Sequence, residues 1–284
     1  MQTQAPQPDP QLVANRYLEL LKRSLTFLLW DEPGFPIDLY KRKTPLFVRA
    51  LLSGIAAVLR VVRLQLVRIR SYPYESRAEG KVTPLLADTM VGIKRLDNVQ
   101  QCVETVLREG IPGDLIETGV WRGGTCIFMR GILEAYGDAD RRVYVADSFA
   151  GLPKPDARFE ADRGDTHYLK RYLAVSRDQV AANFERYGLL DERVVFLEGW
   201  FKDTLPKLEA SQLAVIRLDG DMYESTMDAF NNLYDKLSVG GFCIIDDYGL
   251  EGCRKAVDEF RQTHQITAEL HRIDWTGAYW RKEA

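Results

Sequence analysis

Two apolar runs in this chain end abruptly in carboxylates. One is Ile216-Arg217-Leu218-Asp219, continuing through Gly220-Asp221-Met222-Tyr223-Glu224; the other is Ile244-Ile245-Asp246-Asp247-Tyr248. Asp246 and Asp247 follow Asp219 by 27 and 28 residues, room for one helix and a return into a parallel strand. The spacing predicts all three acids at the carboxyl ends of two adjacent strands, where open α/β sheets bind ligands. Carboxylates converging there repel one another unless a hard cation sits between them. All-oxygen ligands in a partly hydrated site suit Mg²⁺ or a similar divalent ion. The plainer alternative for any one Asp is that it caps the following helix.

A second stretch able to do chemistry is Glu117-Thr118-Gly119-Val120-Trp121-Arg122-Gly123-Gly124-Thr125. A glycine after a strand and two more before a helix let backbone approach a ligand and leave helix N–H groups free. The dinucleotide pattern Gly-x-Gly-x-x-Gly is absent, because Gly119 and Gly123 stand four apart, which argues against NAD or FAD. Asp147 ends the next apolar run, 28 residues after Gly119, and is placed to accept both hydroxyls of a ribose. A helix cap shared with Ser148 is the alternative. The pattern favours a nucleoside over a diphosphate.

These residues need a scaffold, and the chain supplies one by alternation. Apolar runs at 114–119, 142–147 and 194–199, and the two acid-tipped runs that begin at Ile216 and Ile244, are separated by helical patterns, notably at 125–136, 179–187 and 225–237. That order predicts an α/β fold, a mostly parallel sheet with helices on both faces. A helix over 253–264 follows, then apolar runs at 266–273 and 278–282 joined by Trp275-Thr276-Gly277, read as a closing antiparallel hairpin. Upstream, residues 1–10 read as a disordered tail and 11–82 as a helical extension or lid before a domain spanning 83–284. Within the extension, 12–30 has helical spacing, and Asp31 to Pro36 breaks it with two prolines and a glycine. Residues 46–67 are the most apolar stretch, but Arg49, Arg60 and Arg63 interrupt it, with Arg68 and Arg70 following. A charge at the bilayer centre costs about 2.5–3.5 kcal/mol on insertion scales, so packing on the domain or on a second copy is favoured over a membrane.

Bulk properties narrow the partners. The 284 residues carry a net charge of −3, which argues against nucleic acid bound through bulk charge. Four cysteines, Cys102, Cys126, Cys243 and Cys253, fit neither a zinc nor a disulfide framework and read as thiols of a reducing cytoplasm. The first ten residues lack the basic start and apolar core of a signal peptide. Apolar N-terminal helices favour a homo-oligomer.

Glu117 to Thr125, Asp147 and the acid clusters together resemble the class I S-adenosylmethionine-dependent methyltransferases. More narrowly, Thr89-Met90-Val91-Gly92, residues 146–153, 183–189 and 197–206, Leu218 to Thr226 and Ile245-Asp246-Asp247-Tyr248 resemble the macrocin O-methyltransferase family. The resemblance covers about residues 83–282. It implies a Rossmann-like sheet, S-adenosylmethionine and a divalent metal, with a sugar hydroxyl on a glycosylated natural product as acceptor. It implies that Asp219, Asp246 and Asp247 hold Mg²⁺, and that Gly119 passes beneath the methionine part of the donor. Thr125 would reach the donor carboxylate, with Met90 and Val91 bordering that end and Glu117 near its amino group. Asp147, beside Ser148, would take the ribose, and Gly199 with Trp200 would flank the adenine. In the distantly similar catechol O-methyltransferases a lysine base follows the first metal Asp by three residues; here that position is Met222.

Methyl transfer needs a nucleophilic oxygen, and a metal on an alcohol lowers its pKa. Asp219 is the first candidate for general base, as a metal ligand beside the same oxygen, although the cation makes it less basic. Asp221 and His167 are the alternatives, His167 lying in a polar stretch, 156–172, that could fold over the substrate as a lid. His264 and His271 read as structural. A phenolic or lipid-linked glycan acceptor, or a non-catalytic nucleoside-binding scaffold, are the competing readings.

Overall fold

The computed structural model describes residues 9–31, 35–36, 45–68, 72–82 and 84–284, without the side chains of residues 35, 36 and 49. Most of the expected tail, the boundary residue Thr83, and Arg70 lie outside them. Helix α1 (Pro10–Leu25) opens the chain. Strand β1 (Phe35–Pro36) pairs antiparallel with β2 (Val67–Arg68) on either side of α2 (Leu46–Val61), and α3 (Tyr74–Ala78) leads to α4 (Ile93–Arg108). The chain then alternates: β3 (Asp114–Thr118), α5 (Gly124–Ala135), β4 (Val143–Asp147), α6 (Arg177–Arg186), β5 (Val194–Glu198), α7 (Phe201–Thr204), β6 (Leu213–Leu218), α8 (Tyr223–Leu233) and β7 (Leu237–Ile245). Helix α9 (Glu251–Thr263) and the strands β8 (His271–Arg272) and β9 (Ala278–Arg281) complete it.

Seven strands form one sheet in the order β5-β4-β3-β6-β7-β9-β8. The first five are parallel, and β9 runs antiparallel to both β7 and β8. This is the mostly parallel sheet with a terminal hairpin that the alternation predicts, and the Rossmann-like sheet that the resemblance implies. Side-chain alternation sorts the strands onto two layers. Leu115, Val143, Val145, Val215 and Ile244 face one core with α1, α4, α5 and α6. Their neighbours Ile116, Tyr144, Ala146, Ile216 and Ile245 face the other, with α8, α9 and Trp280. Because β3 lies between β4 and β6, successive connections leave it in opposite directions. A crevice opens there at the carboxyl ends, and the functional residues gather around it.

Several boundaries differ from the sequence reading, each for a local reason. Helix α1 starts at Pro10 because the Asp9 carboxylate accepts the Gln11 N–H, a cap with proline at the first position. It stops at Leu25, not Trp30: the Thr26 hydroxyl donates to the Lys22 carbonyl and Phe27 turns left-handed at φ 56°. Leu18, Leu21 and Leu25 are buried with α4 and α5, and Gly131 leaves the space that Leu21 fills. So α1 contributes to the main core. Helix α2 ends at Val61, where Arg63 takes φ 58°. Its Leu46, Phe47, Leu51, Val58 and Val61 are exposed and Ala56 is buried, so among the described residues much of its apolar surface is uncovered. Among the described residues no helix is long and apolar enough to cross a membrane. The expected strand over 266–273 shrinks to His271–Arg272.

Candidate active site

Strand β6 delivers Asp219 and β7 delivers Asp246 and Asp247, in register: Leu218 pairs with Ile245, and the Asp246 N–H donates to the Leu218 carbonyl at 2.9 Å. One oxygen from each of the three carboxylates lies within 4.8 Å of the others, so the convergence predicted from spacing is present. Burial first, then the charges of the neighbouring carboxylates, push Asp219 and Asp247 above the ordinary carboxylate range.

The sequence reading left out what holds this cluster together. Arg217, inside β6, is almost wholly buried and donates to Glu117 and Asp246, and to Asp219 Oδ2 at 2.8 Å. Burial opposes its charge, but the surrounding carboxylates outweigh that and hold it protonated. Arg95, in the first turn of α4, donates to the second oxygen of Asp246, and its Nε lies 3.0 Å from Asp274 Oδ2. Two guanidinium groups therefore do part of the neutralising assigned to a cation. The signal was available, since Arg217 interrupts the apolar run Ala214-Val215-Ile216 and a charge there needs partners.

Glu117 ends on the same network. Its Oε2 accepts from the Cys126 thiol at 2.8 Å, and burial pushes its carboxyl up to about 7 while Arg217 pulls it down. Cys126 is a buried free thiol, and burial raises its pKa.

The glycine loop meets the acid cluster through backbone. Gly119 takes φ +84°, and a Cβ there would fall inside the contact radius of the Asp219 carbonyl oxygen. Gly123, at φ +84°, is the N-cap of α5 and supplies no capping side chain; Thr125 follows, buried in the first turn. Asp147 accepts the Val120 N–H on Oδ2 and the Phe149 N–H on Oδ1, both at 2.7 Å. Burial raises its pKa against these hydrogen bonds. No helix follows directly, so Asp147 caps none: it closes a turn with Phe149, and Ser148 donates to the Gly151 carbonyl.

Two cavities open at the sheet's carboxyl edge. One, of about 330 Å³, is lined by Gly119, Asp147, Ser148 and Trp200 among others. The other, of about 290 Å³, is lined by Val91, Glu117, Thr125, Asp246, Asp247 and His167 among others. Met90, Trp121, Leu173, Asp219 and Asp221 border both. Gly199 lines neither. It is a spacer at φ +141° whose N–H donates to the Asp147 carbonyl, holding Trp200 at the rim. Met222 is buried and also lines neither, in keeping with the loss of a lysine base there. His264 stacks on Phe260 and His271 lies on β8, both away from the cavities.

Comparison with known proteins follows the same lines. A family model described as Macrocin-O-methyltransferase (TylF) matches residues 14–282. The 8-demethyl-8-(2,3-dimethoxy-alpha-L-rhamnosyl)-tetracenomycin-C 4'-O-methyltransferase of Streptomyces olivaceus is 58% identical over 212 residues, covering 74% of this chain and 81% of the relative. The mycinamicin III 3''-O-methyltransferase of Micromonospora griseorubida is 47% identical over 252 residues, covering 87% of this chain and 96% of the relative. The solved structure of the O-methyltransferase NovP matches with a TM-score of 0.81 at 44% identity, covering 95% of this chain and 100% of that one.

Proposed function

Because the chain belongs to the macrocin O-methyltransferase family and is an O-methyltransferase of glycosylated natural products, we propose that it uses S-adenosylmethionine and a divalent cation, Mg²⁺ or similar, to methylate a sugar hydroxyl. One observation carries the reading: a nucleoside-sized cavity and a carboxylate-lined cavity meet at Asp219. The residues fit both groups. Asp219, Asp246 and Asp247 offer only oxygen donors, which suits a hard cation. Asp147, fixed by the Val120 and Phe149 N–H groups, lines a cavity bordered by the flat ring of Trp200.

When bound, the donor supplies an electrophilic methyl group and the cation lowers the pKa of an acceptor hydroxyl. The protein's part is placement. Asp147 takes the ribose hydroxyls, Ser148 borders them, and Trp200, held by Gly199, covers the adenine. Gly119 keeps the backbone low beneath the methionine chain. The free N–H groups of the α5 N-terminus, with Thr125, receive its carboxylate, while Met90 and Val91 close that end. Glu117, pinned between Arg217 and Cys126, faces the donor's amino group. Asp219, with Asp246 and Asp247, would hold the cation, which would supply acidification of the acceptor hydroxyl. As a base Asp219 is weakened twice, by that cation and by the Arg217 N–H on its Oδ2.

The test is a panel of deoxysugar glycosides, including the tetracenomycin, mycinamicin and novobiocin precursors named for the relatives. Methyl ether formation should vanish in excess EDTA and return with Mg²⁺. Undiminished transfer in EDTA removes the cation from the reaction, and transfer to no glycoside removes the acceptor class.

A further inference from the structure

The turn between β8 and β9 carries a residue that folding does not call for. Tight turns favour Gly, Asn, Asp and Ser, yet this one holds Trp275 with 52% of its surface exposed. Its Nε1 donates to the Glu79 carbonyl at 3.0 Å, so the one polar atom of the indole is satisfied and the rest is apolar ring. Trp275 lines the cavity that holds Asp246 and Asp247, and not the one beside Asp147. Trp121, the other tryptophan there, borders both cavities, and the Arg122 guanidinium lies over its ring at 4.2 Å.

Both neighbours of Trp275 are fixed to the acid cluster. Asp274 closes the turn by accepting the Thr276 and Gly277 N–H groups at 3.0 and 2.8 Å. Its other oxygen lies 3.0 Å from Arg95, which also donates to Asp246. Thr276 Oγ1 donates to the Asp246 carbonyl at 3.1 Å, and the Thr276 carbonyl accepts the Gly249 N–H at 3.0 Å. The indole therefore has a set place relative to Asp246 before any ligand arrives. A tryptophan placed in advance offers a large contact area at little cost in conformational entropy.

A pyranose has two kinds of surface, hydroxyls around its edge and C–H groups across its faces. The weakly positive C–H hydrogens suit the negative π face of an indole, and a deoxysugar adds the apolar surface of a methyl group. We propose that Trp275 binds the acceptor, its indole packing on the C–H face of the sugar ring whose hydroxyl edge meets the carboxylate end of the cavity. The inference rests on the reaction proposed above and adds what selects the ring to be methylated. A flat aglycone could use the same indole. The sugar is its occupant because the reacting hydroxyl must reach the carboxylates to which the turn is tied, and that leaves the sugar beside Trp275.

The first measurement is binding. Saturation-transfer difference NMR of the full chain, with S-adenosylhomocysteine and Mg²⁺ present, should show methyl α-L-rhamnopyranoside taking up saturation at the C–H protons of one ring face. Trp275→Ala should remove most of that signal and leave S-adenosylhomocysteine affinity within about twofold. With whichever glycoside turns over, Trp275→Ala should raise the acceptor KM about tenfold and change kcat by no more than a few-fold. Trp275→Phe loses the hydrogen bond to Glu79 but keeps a ring, so it should recover most of the KM. Absence of saturation on the rhamnoside with the unaltered protein, or an unchanged KM in Trp275→Ala, overturns the role. So does a Trp275→Phe enzyme as impaired as Trp275→Ala, which would make the bond to Glu79 the whole of its part. If the unaltered protein methylates no glycoside, the reaction falls and this role with it; an active enzyme whose Trp275→Ala variant keeps its KM overturns this role alone.

Discussion

Replacing Arg217 by methionine keeps most of the side-chain volume and removes the charge. Glu117, Asp219 and Asp246 each lose a hydrogen-bonded cation, and Glu117 is 1% exposed and Asp246 5%. Removing one partner of a buried ion pair costs about 3–5 kcal/mol, because the remaining charge stays buried and unpaired. Against a total stability of about 5–15 kcal/mol that is a large share. At roughly 2–3 °C per kcal/mol for a chain of this size, the melting midpoint in EDTA should fall by about 6–15 °C. The same change should tighten divalent cation binding. A guanidinium about 5 Å from a dication repels it by several kcal/mol at an effective dielectric near 20, so Mn²⁺ should bind at least about tenfold more tightly and recover part of the lost stability. Adding Glu117→Gln should restore part of it too, since the doubly altered protein no longer buries that uncompensated charge. The measurements are urea denaturation with and without cation, and calorimetric Mn²⁺ titration. An Arg217→Met protein within about 1 kcal/mol of the original, with unchanged Mn²⁺ affinity, would refute the account of the network.

Gly119→Ala should cost more than the roughly 1–2 kcal/mol of a left-handed backbone, because its Cβ also collides with the Asp219 carbonyl; differential scanning calorimetry and S-adenosylhomocysteine titration should both show the loss. Asp191 is held down at about 2, chiefly by its hydrogen bond to Arg130 and with help from Arg193, so its contribution is present above the ordinary carboxylate value near 4 and lost as pH falls through about 2. Asp191→Asn should therefore lower stability at pH 7 by about 1 kcal/mol, solvent screening at this partly exposed site holding the effect down, and the difference from the original should close in melts taken toward pH 2.

What could be read from residue order was whatever alternation and spacing encode. The five parallel strands were legible because each is a short apolar run ending at a polar tip, and the period-two sorting of Leu115 from Ile116 needs no tertiary information. The meeting of Asp219 with Asp246 and Asp247 was legible for the same reason: one helix between two parallel strands fixes where both ends emerge. The limits of α1 were not, since they depend on the Asp9 and Thr26 side chains finding backbone partners. Nor was the short β8, which ends where the pairing with β9 ends, at Arg272 with Ala278.

The most informative miss is Arg217, because there folding and chemistry make opposite demands. A cluster made only of carboxylates would bind a cation well but could not be buried before the cation arrived. A fully neutralised cluster would fold readily and bind nothing. Arg217 and Arg95 stand between these extremes: they pair with Glu117, Asp246, Asp274 and one oxygen of Asp219, and leave Asp247 without a guanidinium partner among the described contacts. Local rules mark an arginine inside a core strand as an error unless something compensates for it, and such violations concentrate at functional sites. The compensation comes from β3, β6, β7 and the first turn of α4, elements far apart in the chain, so no window of sequence contains it. An unexplained buried charge beside recognised acids is thus itself a pointer to the site, and one that spacing alone leaves unread.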